Sequence, residues 1–93
     1  NGAGLRQAAE LFSPATGIVM TVDTDQPGIQ FYSGNMLKGI NPGKCGRVYG
    51  PREGLCLETQ NYPDAINHPN FPSPVLKAGQ RYQTTTIYRF EVK

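Results

Sequence analysis

Clusters of like charge and long apolar runs are both missing from this chain of 93 residues. Its nine lysines and arginines are scattered, and the formal net charge is only +2. Nucleic-acid binding depends on clustered cations that neutralise phosphates, and a membrane-spanning helix needs about 20 consecutive apolar residues. We therefore predict neither a nucleic acid nor a membrane as a partner.

Histidine and cysteine, which most metal and nucleophilic sites require, are scarce. The chain has one histidine, His68, and two cysteines, Cys45 and Cys56. A zinc site needs several ligands at suitable spacing. A nucleophilic serine or cysteine needs a base beside it, and nothing in the sequence ties His68 to such a residue. Phosphate-binding and dinucleotide-binding glycine motifs are also missing. The sequence therefore predicts no metal site and no nucleophilic triad.

Two cysteines are too few to define a disulfide framework. Cys56 lies in an apolar stretch and is predicted to pack as a small apolar residue, whereas Cys45 lies in a glycine-rich loop. A bridge between them remains an open alternative. The compartment, cytoplasmic or bacterial periplasmic, is accordingly not determined by the sequence.

Short segments of alternating polarity, separated by eleven glycines and eight prolines, dominate the chain. Alternation of this kind is typical of β-strands, and no segment has a convincing helical period. The turn Pro14-Ala15-Thr16-Gly17 separates the first two strands and predicts a hairpin. We predict an all-β chain of about five strands, over residues 5–13, 18–23, 29–33, 55–60 and 81–92.

The loops are long for so small a chain. Residues 34–54 form a glycine-rich loop, which is either functional or a crossover between two sheets. Small size together with long loops leaves little material for a closed hydrophobic core. We therefore expect the chain to bury its apolar faces against something else.

One predicted strand face is polar, with Gln30, Tyr32, Glu58 and Gln60 interleaved among apolar residues. Amides and carboxylates beside aromatic rings suit a polyhydroxylated ligand, because each sugar hydroxyl both donates and accepts hydrogen bonds. The alternative is the ordinary polar face of half-buried strands. For Glu58, the local pattern alone favours a structural carboxylate over a catalytic acid or base.

Two longer segments resemble the aldose 1-epimerases, the galactose mutarotases. These are QPGIQFYSGN at residues 26–35 and GLCLETQNYPDAINHPNFPSPVL at residues 54–76, and the flanking segments resemble the same family. The resemblance implies that residues 1–93 are the C-terminal part of one large antiparallel β-sandwich of the galactose mutarotase-like (supersandwich) type, and not an independent domain. We expect a companion chain or segment to carry the upstream part of the fold. The break before Asn1 is then either a nick in a longer parent chain or the result of producing the two parts as separate polypeptides.

The resemblance also assigns roles to two residues. The glutamate of the LETQ motif falls on Glu58, which is the general base in the family. The glutamine of the IQFY motif falls on Gln30, which hydrogen-bonds the sugar. The family's general-acid histidine falls upstream of this chain, and His68 matches none of the family's histidines. The implied reaction interconverts the α and β anomers of aldohexoses such as glucose and galactose, and it needs no metal and no organic cofactor because no electrons move.

Three alternatives stay open beside this hypothesis. A hexose-6-phosphate 1-epimerase would need cations for the phosphate, for which the chain offers only the scattered Arg47, Arg52, Arg81 and Arg89. A non-catalytic sugar-binding homologue would retain the site without the reaction. A free-standing binding module of 93 residues would have to unfold cooperatively in isolation.

Overall fold

The computed structural model describes residues 4–39 and 42–93. The predicted break before Asn1 and positions 40 and 41 of the long loop lie outside these residues. The described chain has five strands and two short 3-10 turns, at Lys44–Gly46 and Ala65–Asn67. The strands are β1 (Arg6–Phe12), β2 (Ile18–Thr24), β3 (Gly28–Tyr32), β4 (Cys56–Gln60) and β5 (Thr86–Val92). The all-β prediction is confirmed.

Three strands form one antiparallel sheet in the order β1-β2-β5. The turn between β1 and β2 closes with a hydrogen bond from the Gly17 amide to the Ser13 carbonyl at 2.8 Å. Gly17 has a φ of 77°, which a residue with a side chain rarely adopts. The predicted hairpin is therefore confirmed, with one bulge in β1 between Gln7 and Ala9.

The other two strands, β3 and β4, pair antiparallel as a separate sheet. Their register places Gln30 opposite Glu58 and Phe31 opposite Leu57. The long loop thus connects two strands of the same sheet, and the alternative of a crossover between sheets is wrong. Within the part of the chain that the structure describes, no helix is long and apolar enough to cross a membrane.

Strand β5 begins at Thr86 rather than at residue 81. Its pairing with β2 ends where β2 ends, at the Thr24–Thr86 pair. Beyond that pair, hydrogen bonds to the Asp25 side chain hold the chain that leads into β5. Its Oδ1 atom accepts hydrogen bonds from the Thr84 hydroxyl at 2.6 Å and from the Thr85 amide at 3.0 Å. The Asp25 carboxylate therefore holds Thr84 and Thr85, the last two of the five residues that alternation alone added to the strand.

These hydrogen bonds hold the pKa of Asp25 below its ordinary value, with the Thr84 hydroxyl as the largest cause and the Thr85 amide second. A carboxylate whose pKa is lower in the folded than in the unfolded state contributes stability above the unfolded-state value, about 3.9. That contribution is lost as pH falls through the folded-state pKa.

In the folded protein, Thr84→Val is expected to raise the pKa of Asp25 toward its ordinary value, as measured by an NMR titration of the carboxyl carbon. Thr85→Val retains the amide donor and serves as the control, so an equal rise in both variants would contradict this account.

Few apolar side chains are buried. Among the described residues the buried hydrophobic side chains are Val19, Val22 and Ala65, whereas Phe90 is 66% and Val92 is 79% exposed. Alternation along β2 and β5 places Val22, Phe90 and Val92 on one face of the three-stranded sheet. One part of that face is covered and the rest is open to solvent.

The prediction that Cys56 packs as an apolar residue is wrong, since its side chain is exposed. Cys56 lies opposite Tyr32, on the same face of the two-stranded sheet as Glu58. The three-stranded sheet approaches the opposite face, where Leu57 and Thr59 lie, so none of the described strands covers Cys56. Cys45 is likewise free and exposed, and no bridge joins the two cysteines.

Candidate active site

The two residues that the resemblance singled out lie directly opposite each other. Gln30 of β3 and Glu58 of β4 are register partners, so their side chains leave the same face of the sheet. Cβ atoms of such a cross-strand pair are about 4.5–5.5 Å apart. Both side chains are exposed. The fold therefore brings one carboxylate and one amide together on an accessible surface.

Gln60 joins this pair diagonally. Its cross-strand partner is Gly28, which has no side chain, and its amide Nε2 lies 3.5 Å from Gln30 Oε1. This contact directs the NH₂ group of Gln30 away from Gln60. We call the face formed by Gln30, Glu58 and Gln60 the polar face.

The polar face is closed at one end by the ring of Tyr62. A Cβ atom on Gly28 would lie 2.9 Å from two atoms of that ring, so the ring covers the glycine. Tyr62 in turn contacts Phe71, with ring centroids 5.0 Å apart. The sequence alone did not reveal this aromatic wall, although a glycine within a strand is a known signal of a close approach.

At the other end of β3, Tyr32 lies on the same face of the sheet as Gln30 and contacts the start of the long loop. Its hydroxyl accepts a hydrogen bond from the Met36 amide at 3.0 Å. Tyr32 thus holds the start of the long loop.

The reverse side of β4 contacts β5. The Tyr88 hydroxyl donates a hydrogen bond to the Leu57 carbonyl at 3.1 Å, and the Thr59 and Thr86 hydroxyls are 2.8 Å apart. Glu58 lies between these two contacts in the sequence. The three-stranded sheet consequently holds β4 on the side opposite the polar face.

A cleft of about 510 Å³ runs along β4, and it is lined by residues from both sheets. The lining residues are Met20, Leu55, Cys56, Leu57, Glu58, Thr59 and Tyr88. Met20 and Tyr88 belong to the three-stranded sheet, so this cleft lies between the two sheets, whereas Gln30 and Gln60 of the polar face are not among its lining residues.

His68, the single histidine, is engaged within its own loop. Its Nε2 atom lies 3.2 Å from Asp64 Oδ2, and its ring is 4.9 Å from the Phe71 ring, measured between centroids. These contacts stay within residues 64–71, and they give His68 a structural role. Among the described residues, no group of three or more His, Cys, Asp or Glu side chains is arranged to hold a metal ion.

Among the described residues, no hydrogen bond or ion pair joins Arg47, Arg52, Arg81 or Arg89 to the polar face. Arg89 forms an ion pair with Asp23 at 2.9 Å, between β5 and β2. Arg52 lies in the long loop with a φ of 62° and donates its amide proton to the Gly34 carbonyl. The hydrogen bonds of these two residues support the fold.

The fold defines the class of protein as all-β and antiparallel, with a polar face on one pair of strands. The chain matches the aldose 1-epimerase family over residues 1–89, and it belongs to that family. It is 49% identical to a galactose mutarotase of Rattus norvegicus over 84 residues, and 50% identical to one of Homo sapiens over the same length. Each alignment covers 90% of this chain and 25% of the relative.

A bacterial relative shows the same relation. The chain is 38% identical to an aldose 1-epimerase of Escherichia coli strain K12 over 91 residues, which is 96% of this chain and 26% of that protein. This chain thus spans about a quarter of the length of the relatives that it matches. The family resemblance inferred from the two motifs is confirmed, together with the antiparallel β-sandwich class.

Proposed function

We propose that this chain supplies the general base and one sugar-binding amide of an aldose 1-epimerase, with Glu58 as the base and Gln30 as the amide. The observation that supports this most directly is the register of β3 and β4, which sets Gln30 opposite Glu58 on one exposed face. The names of the relatives support an isomerase acting on an aldose. The substrate is an aldohexose such as glucose or galactose.

In the proposed mechanism, the Glu58 carboxylate removes the proton from the C1 hydroxyl of the sugar. A histidine from the upstream part of the fold protonates the ring oxygen, so the bond between C1 and the ring oxygen breaks and an aldehyde forms. The C1–C2 bond rotates, and the ring closes on the other face of the aldehyde with the proton transfers reversed. Each well-placed proton-transfer group contributes roughly 10²–10⁴ in rate. The atoms balance without a cofactor.

The upstream part of the fold is the proposed partner. Ile18, Phe90 and Val92 line an open apolar depression of about 360 Å³ together with Glu91. Soluble proteins seldom leave contiguous apolar patches uncovered unless something binds there. Because the family's members are about four times longer than this chain, we assign the upstream part of the sandwich as the occupant. That part would also carry the catalytic histidine.

The test uses this chain co-expressed with the upstream part of the Homo sapiens galactose mutarotase, a pairing that we call the assembled protein. Polarimetry follows the relaxation of freshly dissolved α-D-glucose and α-D-galactose, and native mass spectrometry determines whether the two polypeptides remain together. We expect a stable pair that accelerates relaxation, whereas neither part does so alone.

Three results would count against this proposal. A stable pair that binds sugar without accelerating relaxation would indicate a non-catalytic homologue. A strong preference for glucose 6-phosphate would indicate a hexose-6-phosphate 1-epimerase. Cooperative unfolding of this chain alone would contradict its assignment as part of a larger sandwich.

A further inference from the structure

Two hydrogen bonds from β5 reach β4 on either side of Glu58. One runs from the Tyr88 hydroxyl to the carbonyl of Leu57, the residue before Glu58. The other joins the hydroxyls of Thr86 and Thr59, the residue after Glu58. Within residues 4–39 and 42–93, no hydrogen bond from β5 reaches the Glu58 side chain, which points to the opposite face. The backbone that carries Glu58 is therefore held at both of its neighbours.

The contact between Thr59 and Thr86 continues to a third threonine, Thr24, which is buried. Thr24 is 0% exposed, and its hydroxyl lies 3.1 Å from the Thr86 hydroxyl and 3.2 Å from the Thr85 carbonyl. The Gln26 amide donates to the same Thr24 oxygen at 3.1 Å. A buried hydroxyl is costly to leave without partners, so this arrangement resists rearrangement. The Thr59 contact thus ends on a rigid part of the three-stranded sheet.

Strand β4 depends on such contacts more than a central strand would. Among the described residues it pairs with β3 alone, and an isolated two-stranded ribbon is only marginally stable in water. Any rotation of β4 about its axis would change the direction of Glu58, because alternate side chains point to opposite faces. A displacement of about 1 Å at a reacting group lowers the rate roughly 10²-fold.

We propose that Tyr88 and Thr86 are positioning residues, which act through Leu57 and Thr59 to aim the Glu58 carboxylate. This inference rests on the proposed function, in which Glu58 is the general base. Neither residue touches the sugar. Their loss therefore lowers kcat and leaves KM almost unchanged.

The experiment compares Tyr88→Phe and Thr86→Val in the assembled protein, each of which removes one hydroxyl and retains the shape of the side chain. We expect each variant to lower kcat roughly tenfold and the double variant roughly 10²-fold, with KM changed by less than about twofold. Thr86→Ser retains the hydroxyl and is expected to restore kcat to within about twofold of the wild type.

Matched controls come from the same segment of chain. Tyr82→Phe removes a tyrosine hydroxyl that accepts from Gln26 Nε2 at 2.6 Å, and Thr84→Val removes the hydroxyl bonded to Asp25. Both changes remove one hydrogen bond without contacting β4. We expect kcat within about twofold of the wild type for both. An equal loss of kcat in the controls would show a general structural effect and overturn the proposal.

Hydrogen exchange of the amides of Cys56–Gln60 gives a second readout that does not depend on activity. We expect faster exchange there in Tyr88→Phe and Thr86→Val than in the two controls. Unchanged exchange, or faster exchange with unchanged kcat, would overturn the positioning role. If the wild-type assembled protein does not accelerate relaxation, the proposed function fails and the positioning role fails with it, while exchange still decides whether β5 holds β4.

Discussion

Replacing Glu58 with glutamine is expected to lower kcat for mutarotation by roughly 10²–10⁴ in the assembled protein. Glutamine has nearly the same shape as glutamate, but it cannot accept the C1 hydroxyl proton. Because the side chain remains opposite Gln30 and retains an oxygen that accepts hydrogen bonds, we expect the sugar still to bind, with KM changed by less than about threefold. Initial relaxation rates of α-D-galactose over a range of concentrations measure both constants.

The specificity of this effect is checked with two further variants. Glu10 is an exposed strand carboxylate on β1, and Glu10→Gln is expected to leave both constants unchanged.

Gln30→Leu removes the proposed sugar-binding amide and is expected to raise KM roughly tenfold, since a hydrogen bond to a ligand is worth about 1–2 kcal/mol. Wild-type kcat in Glu58→Gln would exclude Glu58 as the base.

Replacing Gly34 with alanine is expected to destabilise the assembled protein by about 2–4 kcal/mol. Gly34 is buried and has a φ of 76°, a conformation that costs a residue with a Cβ atom about 1–2 kcal/mol. A Cβ atom there would also lie 2.5 Å from the Gly54 carbonyl oxygen and 3.2 Å from Leu37. The Gly54 contact is with backbone just before β4, so relief of the clash would shift the start of that strand.

The variant Gly46→Ala separates the conformational cost of a positive φ from the cost of the steric clash. Gly46 has a similar φ of 72°, yet a Cβ atom there would have no atom of the described residues within 4 Å. It therefore bears the conformational cost without the steric clash, and we expect a loss of only about 1 kcal/mol. Chemical denaturation of both variants gives the difference. Equal losses would show that the close approach of Gly34 to Gly54 does not matter for stability.

The strands themselves were largely predictable from the sequence, because alternation of polar and apolar residues reports which face of a strand is buried. Residues 18–23 and 55–60 were predicted to within one residue of β2 and β4. The prediction for β5 was too long by five residues. Alternation continues through residues 81–85, but a strand also needs a partner. Strand β2 ends at Thr24, and beyond it Asp25 bonds Thr84 and Thr85 through its side-chain carboxylate and its backbone amide.

The candidate site was predictable in part. Two motifs pointed to Gln30 and Glu58, and the polar alternation placed each on a polar face. Whether those two faces are the same one depends on the pairing of strands that are separated by a loop of more than twenty residues. Such pairing is a tertiary property, because a shift of one residue in register would turn Glu58 to the opposite face.

The local order of polar and apolar residues was sufficient to determine the strand content, the hairpin turn and the chemistry of the polar face, since each depends on neighbours along the chain. The tertiary structure alone decided that Cys56 is exposed, that the Tyr62 ring covers Gly28, and that Tyr88 and Thr86 hold β4. These contacts join residues that are distant in the sequence, and their energies depend on distances and directions that no local pattern encodes. Local alternation thus identified Glu58 as a member of a polar strand face, and the tertiary register of β3 and β4 decided that this face is shared with Gln30.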